Sequence, residues 1–374
     1  MTRVYINDTT LRDGEQAAGI AFSAQETLAI ARALDRAGVD QIEAGIPAMG
    51  AETVRVLRRV WGLGLRARLS TWNRAREEDL EASAEVGAEL VHITLPASDL
   101  QLEVKLGWDR ARARARLAAV LARARALGQT ATVGLEDASR ADPAFLVELG
   151  RVAADGGAVR LRFADTVGRC TPERLRERMA YLTAAVGLPW EVHAHNDFGL
   201  AVANTLAAVA GGVRWVSTTV TGLGERAGNA AMEAVVLALA ELYGFTTGVD
   251  PKALLPLARL VRRAARRPLA PEQPVVGALV FTHEAGIHVG ALLRDPRTYQ
   301  PFDPGVVGRR HRFWLGKHSG RHGLRRRLAE LGLQPPPGLE ARLLAAVRGR
   351  AQVTKAPLSD RDLRALYREV VEGS

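Results

Sequence analysis

Apolar and polar positions along the first two-thirds of the chain follow two alternating periods. Short, β-branched apolar runs recur at Val4–Asn7, Gln41–Ala44, Ala67–Thr71, Leu90–Leu95, Thr130–Leu135, Val159–Ala164, Trp190–Ala194 and Trp215–Val220. Continuous apolar runs suit parallel strands buried on both faces. Between them lie helical patterns at Ala24–Ala37, Glu52–Val60, Arg74–Val86, Arg110–Leu127, Asp142–Ala154, Pro172–Val186, Gly199–Ala210 and Asn229–Tyr243. Ser23 followed by Glu26 predicts a capping box, and Thr171-Pro172 places Pro at a first helical position.

Eight such alternations predict a closed (β/α)8 barrel over residues 1–265. A doubly wound open sheet shares the alternation, but the polar residues favour the barrel. Asp8, Arg12 and Asp13 follow the first run, Glu43 ends the second, Thr71 the third, and Thr94 lies near the end of the fourth. Glu136 follows the fifth, Asp165 and Thr166 the sixth, His193 and His195 end the seventh, and Thr219 and Thr221 the eighth. Barrel active sites are built on this rim from several strand ends. In a closed ring only the eighth strand separates the first from the seventh, so Asp13 can meet the two histidines. Residues 266–374 read as a linker marked by Pro268, Pro271 and Pro274, then a helical region contributing to the active site.

Histidines at i and i+2 on a strand project to one side. With Asp13 they make a two-His, one-carboxylate set that suits Mg2+, Mn2+ or Zn2+ and leaves positions free for substrate. The plainer alternative is a packed strand end. Arg12, always charged, suits stabilisation of an oxyanion, or else a salt bridge to Asp8 or Glu43. The glycine-rich stretch Gly222–Gly228 has the wrong spacing and position for a dinucleotide fingerprint.

Composition narrows the classes further. A single cysteine, Cys170, excludes an internal disulfide and any Cys-rich zinc site, and reads as a packed side chain. No apolar run reaches the length of a membrane span, so a soluble, cytoplasmic protein is expected. The net charge of +10 would suit nucleic acid, but the arginines are spread along helices and aromatics are only 5%. Solvated helix faces are the expectation, with a field that attracts anionic substrates or the phosphates of coenzyme A.

Five ordered blocks carry a family resemblance: Asp8-Thr-Thr-Leu-Arg-Asp-Gly-Glu-Gln16, Ala164-Asp-Thr-Val-Gly168, His193-Ala-His-Asn-Asp197, Gly222-Leu-Gly-Glu-Arg-Ala-Gly-Asn229 and Gly286-Ile-His288. Together they resemble the acyl-CoA-condensing branch of metal-dependent TIM-barrel lyases and synthases, which contains isopropylmalate, citramalate and homocitrate synthases. Ile46-Pro-Ala-Met-Gly50 and Gly316-Lys-His-Ser-Gly320 bring it nearest to homocitrate synthases that serve the nitrogenase cofactor. The resemblance implies condensation of acetyl-CoA with 2-oxoglutarate, release of CoA, a divalent metal (Mg2+ or Mn2+ ahead of Zn2+) and a homodimer with small-molecule substrates only. It implies a weaker metal ligand in Asn229, whose alternative is a helix N-cap. Glu136 and His288 become the proton-transfer candidates, with His283 the local competitor, and Thr166 a substrate-carboxylate ligand.

Two departures follow. Lysine-pathway relatives carry Arg-Phe-Ser where this chain has Thr132-Val-Gly134, so hydroxyls and amides such as Thr71, His92 and Thr94 are expected to hold the second carboxylate. His311 stands where the family often has tyrosine. The lyases need a cysteine in the glycine loop, and Gly222-Leu-Gly-Glu has none, which disfavours bond cleavage. Isopropylmalate or citramalate synthesis from 2-oxoisovalerate or pyruvate remains the alternative. No leucine-binding regulatory domain is expected.

Overall fold

A computed structural model describes residues 2–373, which form two compact units meeting between Leu269 and Ala270. The first is the expected barrel. Its strands β1 (Tyr5–Asp8), β2 (Gln41–Gly45), β3 (Arg68–Arg74), β4 (Leu90–Pro96), β5 (Thr130–Glu136), β6 (Leu161–Asp165), β7 (Trp190–Ala194) and β8 (Trp215–Thr218) pair in sequence order. Parallel pairing of β1 with β8, Tyr5 against Trp215, closes the ring.

The helix signals hold. Ser23 and Glu26 make the reciprocal capping box of the helix Ala24–Ala37. Gly38 ends that helix at φ +90°, where an added Cβ would lie 2.1 Å from the Gly248 carbonyl oxygen, so only glycine fits. The helix expected from Asn229 begins at Met232, with Ala231 in the capping place. Asn229 therefore stays in the loop, and the N-cap reading is corrected.

The barrel interior is ionic, where barrels of this type usually pack branched apolar side chains. Glu191 accepts from Arg160 Nε at 2.8 Å, Arg162 Nε at 2.8 Å and Asn7 Nδ2 at 3.0 Å. Arg162 also donates to Glu43 at 2.6 Å. Burial pushes the Glu191 carboxyl up, but Arg162 and Arg160 outweigh it and hold it at about 2. Each charge of this network is answered, so removing one member would cost about 3–5 kcal/mol.

The C-terminal unit is small and mainly helical. Thr282–His283 and Arg312–Phe313 form a two-stranded parallel pair. Helices Arg321–Glu330, Glu340–Thr354 and Asp360–Tyr367 bury a leucine core that includes Leu324, Leu328, Leu343 and Leu363. Gly286 and Gly320 let two of the sequence blocks pack backbone to backbone: a Cβ on Gly286 would lie 2.6 Å from the Gly320 Cα. Among the described residues no helix is long and apolar enough to cross a membrane.

Candidate active site at the barrel mouth

The C-terminal ends of the strands surround a cavity of about 240 Å3. Asp13 comes from a wide helical turn, Thr10–Gly14, that directly follows β1. His193 lies in β7 and His195 just beyond it, one residue apart and both facing inward. His193 Nε2 is 3.3 Å from one Asp13 oxygen and His195 Nε2 is 3.8 Å from the other. Ligand atoms from the three residues lie within 4.8 Å of one another, and all three side chains are buried. His195 Nδ1 is 3.3 Å from the Asp165 carbonyl oxygen, an acceptor, so Nδ1 carries the proton and Nε2 offers its lone pair.

Charge prepares the set. Burial pushes the Asp13 carboxyl up, but the Arg12 guanidinium and the two neighbouring histidines hold it well below the usual carboxylate range. Burial also lowers His193 to about 4, which keeps the imidazole neutral. Asn229 donates to Asp13 at 2.7 Å, while its own Oδ1 is buried without a partner. His193 Nδ1 is likewise unpartnered. Two imidazoles, a carboxylate and an idle amide oxygen fit a divalent cation.

The glycine loop after β8 wraps this half of the mouth. A Cβ on Gly224 would lie 2.1 Å from Asn229 Nδ2 and 3.1 Å from Asp13 Oδ1. At Gly228, φ is +88° and a Cβ would meet the Gly222 carbonyl oxygen at 1.9 Å. Gly224 therefore allows close backbone approach to Asn229 and Asp13, and Gly228 lets the loop close on itself, a different use from phosphate binding.

Arg12 makes the expected salt bridge to Glu43 and a second one to Asp13. Nε donates to Glu43 at 2.5 Å and Nη1 to Asp13 at 2.7 Å, and the guanidinium lines the cavity. Glu136, at the end of β5, also lines it and accepts two hydrogen bonds from Lys105 Nζ, at 2.7 and 2.9 Å. Thr166 is at the rim; its hydroxyl accepts from the Asp137 amide at 2.8 Å and keeps its own proton to donate.

Of the three residues expected to hold a second carboxylate, the structure brings two to the cavity. His92 and Thr94 of β4 face inward, and His92 Nε2 and Thr94 Oγ1 are buried without partners. Burial, and Arg162 nearby, lower the His92 pKa well below its usual value, so the ring is neutral. Gly134 leaves the space in front of both: a Cβ there would lie 2.5 Å from His92 Nε2 and 2.8 Å from Thr94 Oγ1.

Thr71 is a correction. Its hydroxyl faces outward and accepts from Ser83 at 2.8 Å, on the covering helix Glu77–Glu85. The inward positions of β3 are its neighbours, Ser70, which bonds Gln41, and Trp72, which lines the cavity. Side chains alternate strictly along a strand, so a shift of one residue exchanges core for mouth.

His288 lies in the C-terminal unit, exposed in the first turn of the helix Gly286–Leu292, with the Tyr299 ring 4.3 Å from its own. His283 is half-buried and 5.2 Å from His311, whose Nε2 pairs with Gln300 Oε1 at 2.9 Å. His288 is thus the more exposed histidine of the block.

Trp72, Lys105, Arg162 and Arg226 also line the mouth and were not anticipated from the sequence. An arginine inside the apolar run of β6 was the available signal for Arg162. Cys170 is buried, its thiol pushed up to about 12 by burial and by Asp165. It is no nucleophile, and it does not line the mouth.

The HMGL-like family matches residues 3–261, and the homocitrate synthase post-HMGL domain matches residues 275–355. A homocitrate synthase of Frankia alni is 54% identical over 87% of this chain and 93% of its own. A 2-isopropylmalate synthase of Caldanaerobacter subterraneus is 43% identical over 98% of this chain and 96% of its own. Among solved structures, the hydroxymethylglutaryl-CoA lyase of Pseudomonas aeruginosa shares the barrel with a TM-score of 0.64 at 22% identity, over 71% of this chain and 94% of that one. The chain belongs to the HMGL-like family of TIM-barrel enzymes, in its isopropylmalate/homocitrate synthase branch.

Proposed function

We propose that this protein is a homocitrate synthase, joining the methyl carbon of acetyl-CoA to the keto carbon of 2-oxoglutarate and hydrolysing the thioester to release CoA. The observation that carries the reading is the two-sided mouth. A three-residue ligand set on the β1 and β7 side faces two idle, buried polar groups on β4, a layout suited to a 2-oxo acid held at both ends. The high identity to a homocitrate synthase over most of the chain adds to it.

Asp13, His193 and His195 would hold a divalent metal, Mg2+ or Mn2+ by preference, with Asn229 as a weaker ligand. Bound there, the metal supplies a template and Lewis acidity for the 2-oxo acid. The protein's own groups do the rest. Arg12, fixed by Glu43 and Asp13, presents its guanidinium to the oxyanion that develops as the new carbon–carbon bond forms. Glu136 and His288 are the groups that take the methyl proton of the thioester and return a proton to the new alkoxide. Thr166 donates its hydroxyl to a substrate carboxylate. Water then adds to the thioester carbonyl, and CoA leaves as the thiol.

A homodimer in the cytoplasm, making homocitrate for the nitrogenase cofactor, completes the proposal; the nitrogenase role rests on the sequence blocks alone. One observation favours a second reading, isopropylmalate or citramalate synthesis: no arginine stands at Thr132, where a diacid would meet it in lysine-pathway relatives. Metal stripping and add-back, followed by CoA release with 2-oxoglutarate, 2-oxoadipate, 2-oxoisovalerate and pyruvate, decides between them. A preference of tenfold or more in kcat/KM for either monocarboxylic acid, about 1.4 kcal/mol, would overturn the homocitrate reading.

A further inference from the structure

We infer that Lys105 is the cation that receives the second carboxylate of the 2-oxo acid, and so sets the preference for diacids. The inference rests on the homocitrate synthase reading for its substrate class. It answers the absence of an arginine at Thr132, because a carboxylate taken into a cavity without a cationic or multi-donor partner is strongly disfavoured.

The other mouth cations are already committed. Arg12 is held by Glu43, Asp13 and Gln16. Arg162 is held between Glu43 and Glu191. Arg226 makes a two-pronged pair with Asp197 and donates to the Thr166 carbonyl. Lys105 has one partner, Glu136, which takes two of its three ammonium protons if each oxygen accepts one. The third donor is left for a ligand. The side chain is half exposed, and its four-carbon stem lets the charge follow substrates of different length.

Position and residue type agree with this role. Lys105 is the penultimate residue of a short turn, Leu102–Leu106, in the segment after β4. That segment borders His92, Thr94 and Gly134, and lies across the eight-stranded ring from the metal ligands. A 2-oxo acid anchored by its first carboxylate at Asp13, His193 and His195 would extend its tail toward this side. Arginine dominates the cations of this chain, and only four of its 51 Lys and Arg residues are lysines. Lysine gives the mouth a compact, mobile ammonium where arginine would bring a rigid, planar guanidinium.

The test compares kcat/KM for 2-oxoglutarate with that for 2-oxoisovalerate in the metal-loaded full-length enzyme and in Lys105→Gln, Lys105→Arg and Lys105→Glu. Lys105→Gln is expected to lower the diacid-to-monoacid ratio at least tenfold, mainly through KM for the diacid. Lys105→Arg should recover part of the ratio, and Lys105→Glu should lower it further. Calorimetric titration of 2-oxoglutarate into each metal-loaded variant, without acetyl-CoA, should show the same order. A ratio unchanged in Lys105→Gln overturns the inference. An equal loss on both substrates also overturns it, since Lys105 would then act only by positioning Glu136. The wild-type ratio tests the homocitrate reading separately. If the wild type prefers 2-oxoisovalerate, that reading fails, while a further tenfold drop in Lys105→Gln still upholds Lys105 as the carboxylate receptor.

Discussion

The two halves of the barrel mouth are built on opposite principles. On the β1 and β7 side, Asp13, His193, His195, Arg12 and Asn229 are tied to one another at 2.7–3.8 Å. On the β3–β5 side, His92 Nε2 and Thr94 Oγ1 are buried with no partner at all, and Gly134 withholds the side chain that would cover them. Unmade hydrogen bonds of this kind cost about 1–3 kcal/mol each. The contrast is one of organisation: one half ties its polar groups to one another, and the other leaves two buried polar atoms unsatisfied by the protein.

The comparison can be broken most severely on the organised half. His193→Ala or His195→Ala should abolish metal binding and condensation together, because an open three-ligand site cannot spare one. Full activity with unchanged metal content, read by elemental analysis and CoA release, would end the assignment.

Next comes the proton-transfer role proposed for His288. His288→Ala should slow exchange of the acetyl-CoA methyl protons with solvent by about 10²–10⁴-fold while leaving 2-oxo acid binding nearly intact. His283→Ala is the control and should cost far less. Were the control the more damaging variant, the C-terminal block would be assigned in the wrong register.

Arg12→Lys keeps the charge but loses the planar fork that reaches Glu43 and Asp13 from separate nitrogens. Turnover should fall about a hundredfold, the scale of one lost oxyanion donor. A variant within a factor of two of the parent would make Arg12 purely structural.

The idle half should respond more gently, and through KM. Gly134→Ala places a methyl against His92 and Thr94, at about 1–3 kcal/mol if the neighbours must shift. KM for the 2-oxo acid should rise on the order of tenfold, since 1.4 kcal/mol is a factor of ten, with metal content unchanged. Equal KM values would show that the space is not used by substrate.

The smallest effect separates two threonines that sequence alone treats alike. Thr71→Val should lower stability by about 1 kcal/mol through its lost hydrogen bond to Ser83, and leave kcat/KM untouched. Thr94→Val should do the reverse, with Tm held and KM raised. A Thr71→Val variant with impaired substrate binding would contradict the outward orientation.

How much was legible differs between the two halves for a physical reason. Asp13, His193 and His195 sit in short contiguous blocks whose spacing places them, and the strand–helix alternation closes the ring that brings them together. Local sequence therefore determined the barrel, the clustering of Asp13 with His193 and His195, and the capping signals at Ser23 and Thr171. The opposite half depends on parity along single strands and on a turn between elements. One residue of register turned Thr71 outward and Trp72 inward. Neither the ion-pair network filling the barrel nor the approach of Lys105 to Glu136 across 31 positions leaves a local pattern. Those contacts exist only once the ring closes, because charges far apart along the chain become neighbours solely through the fold; this the tertiary structure decided.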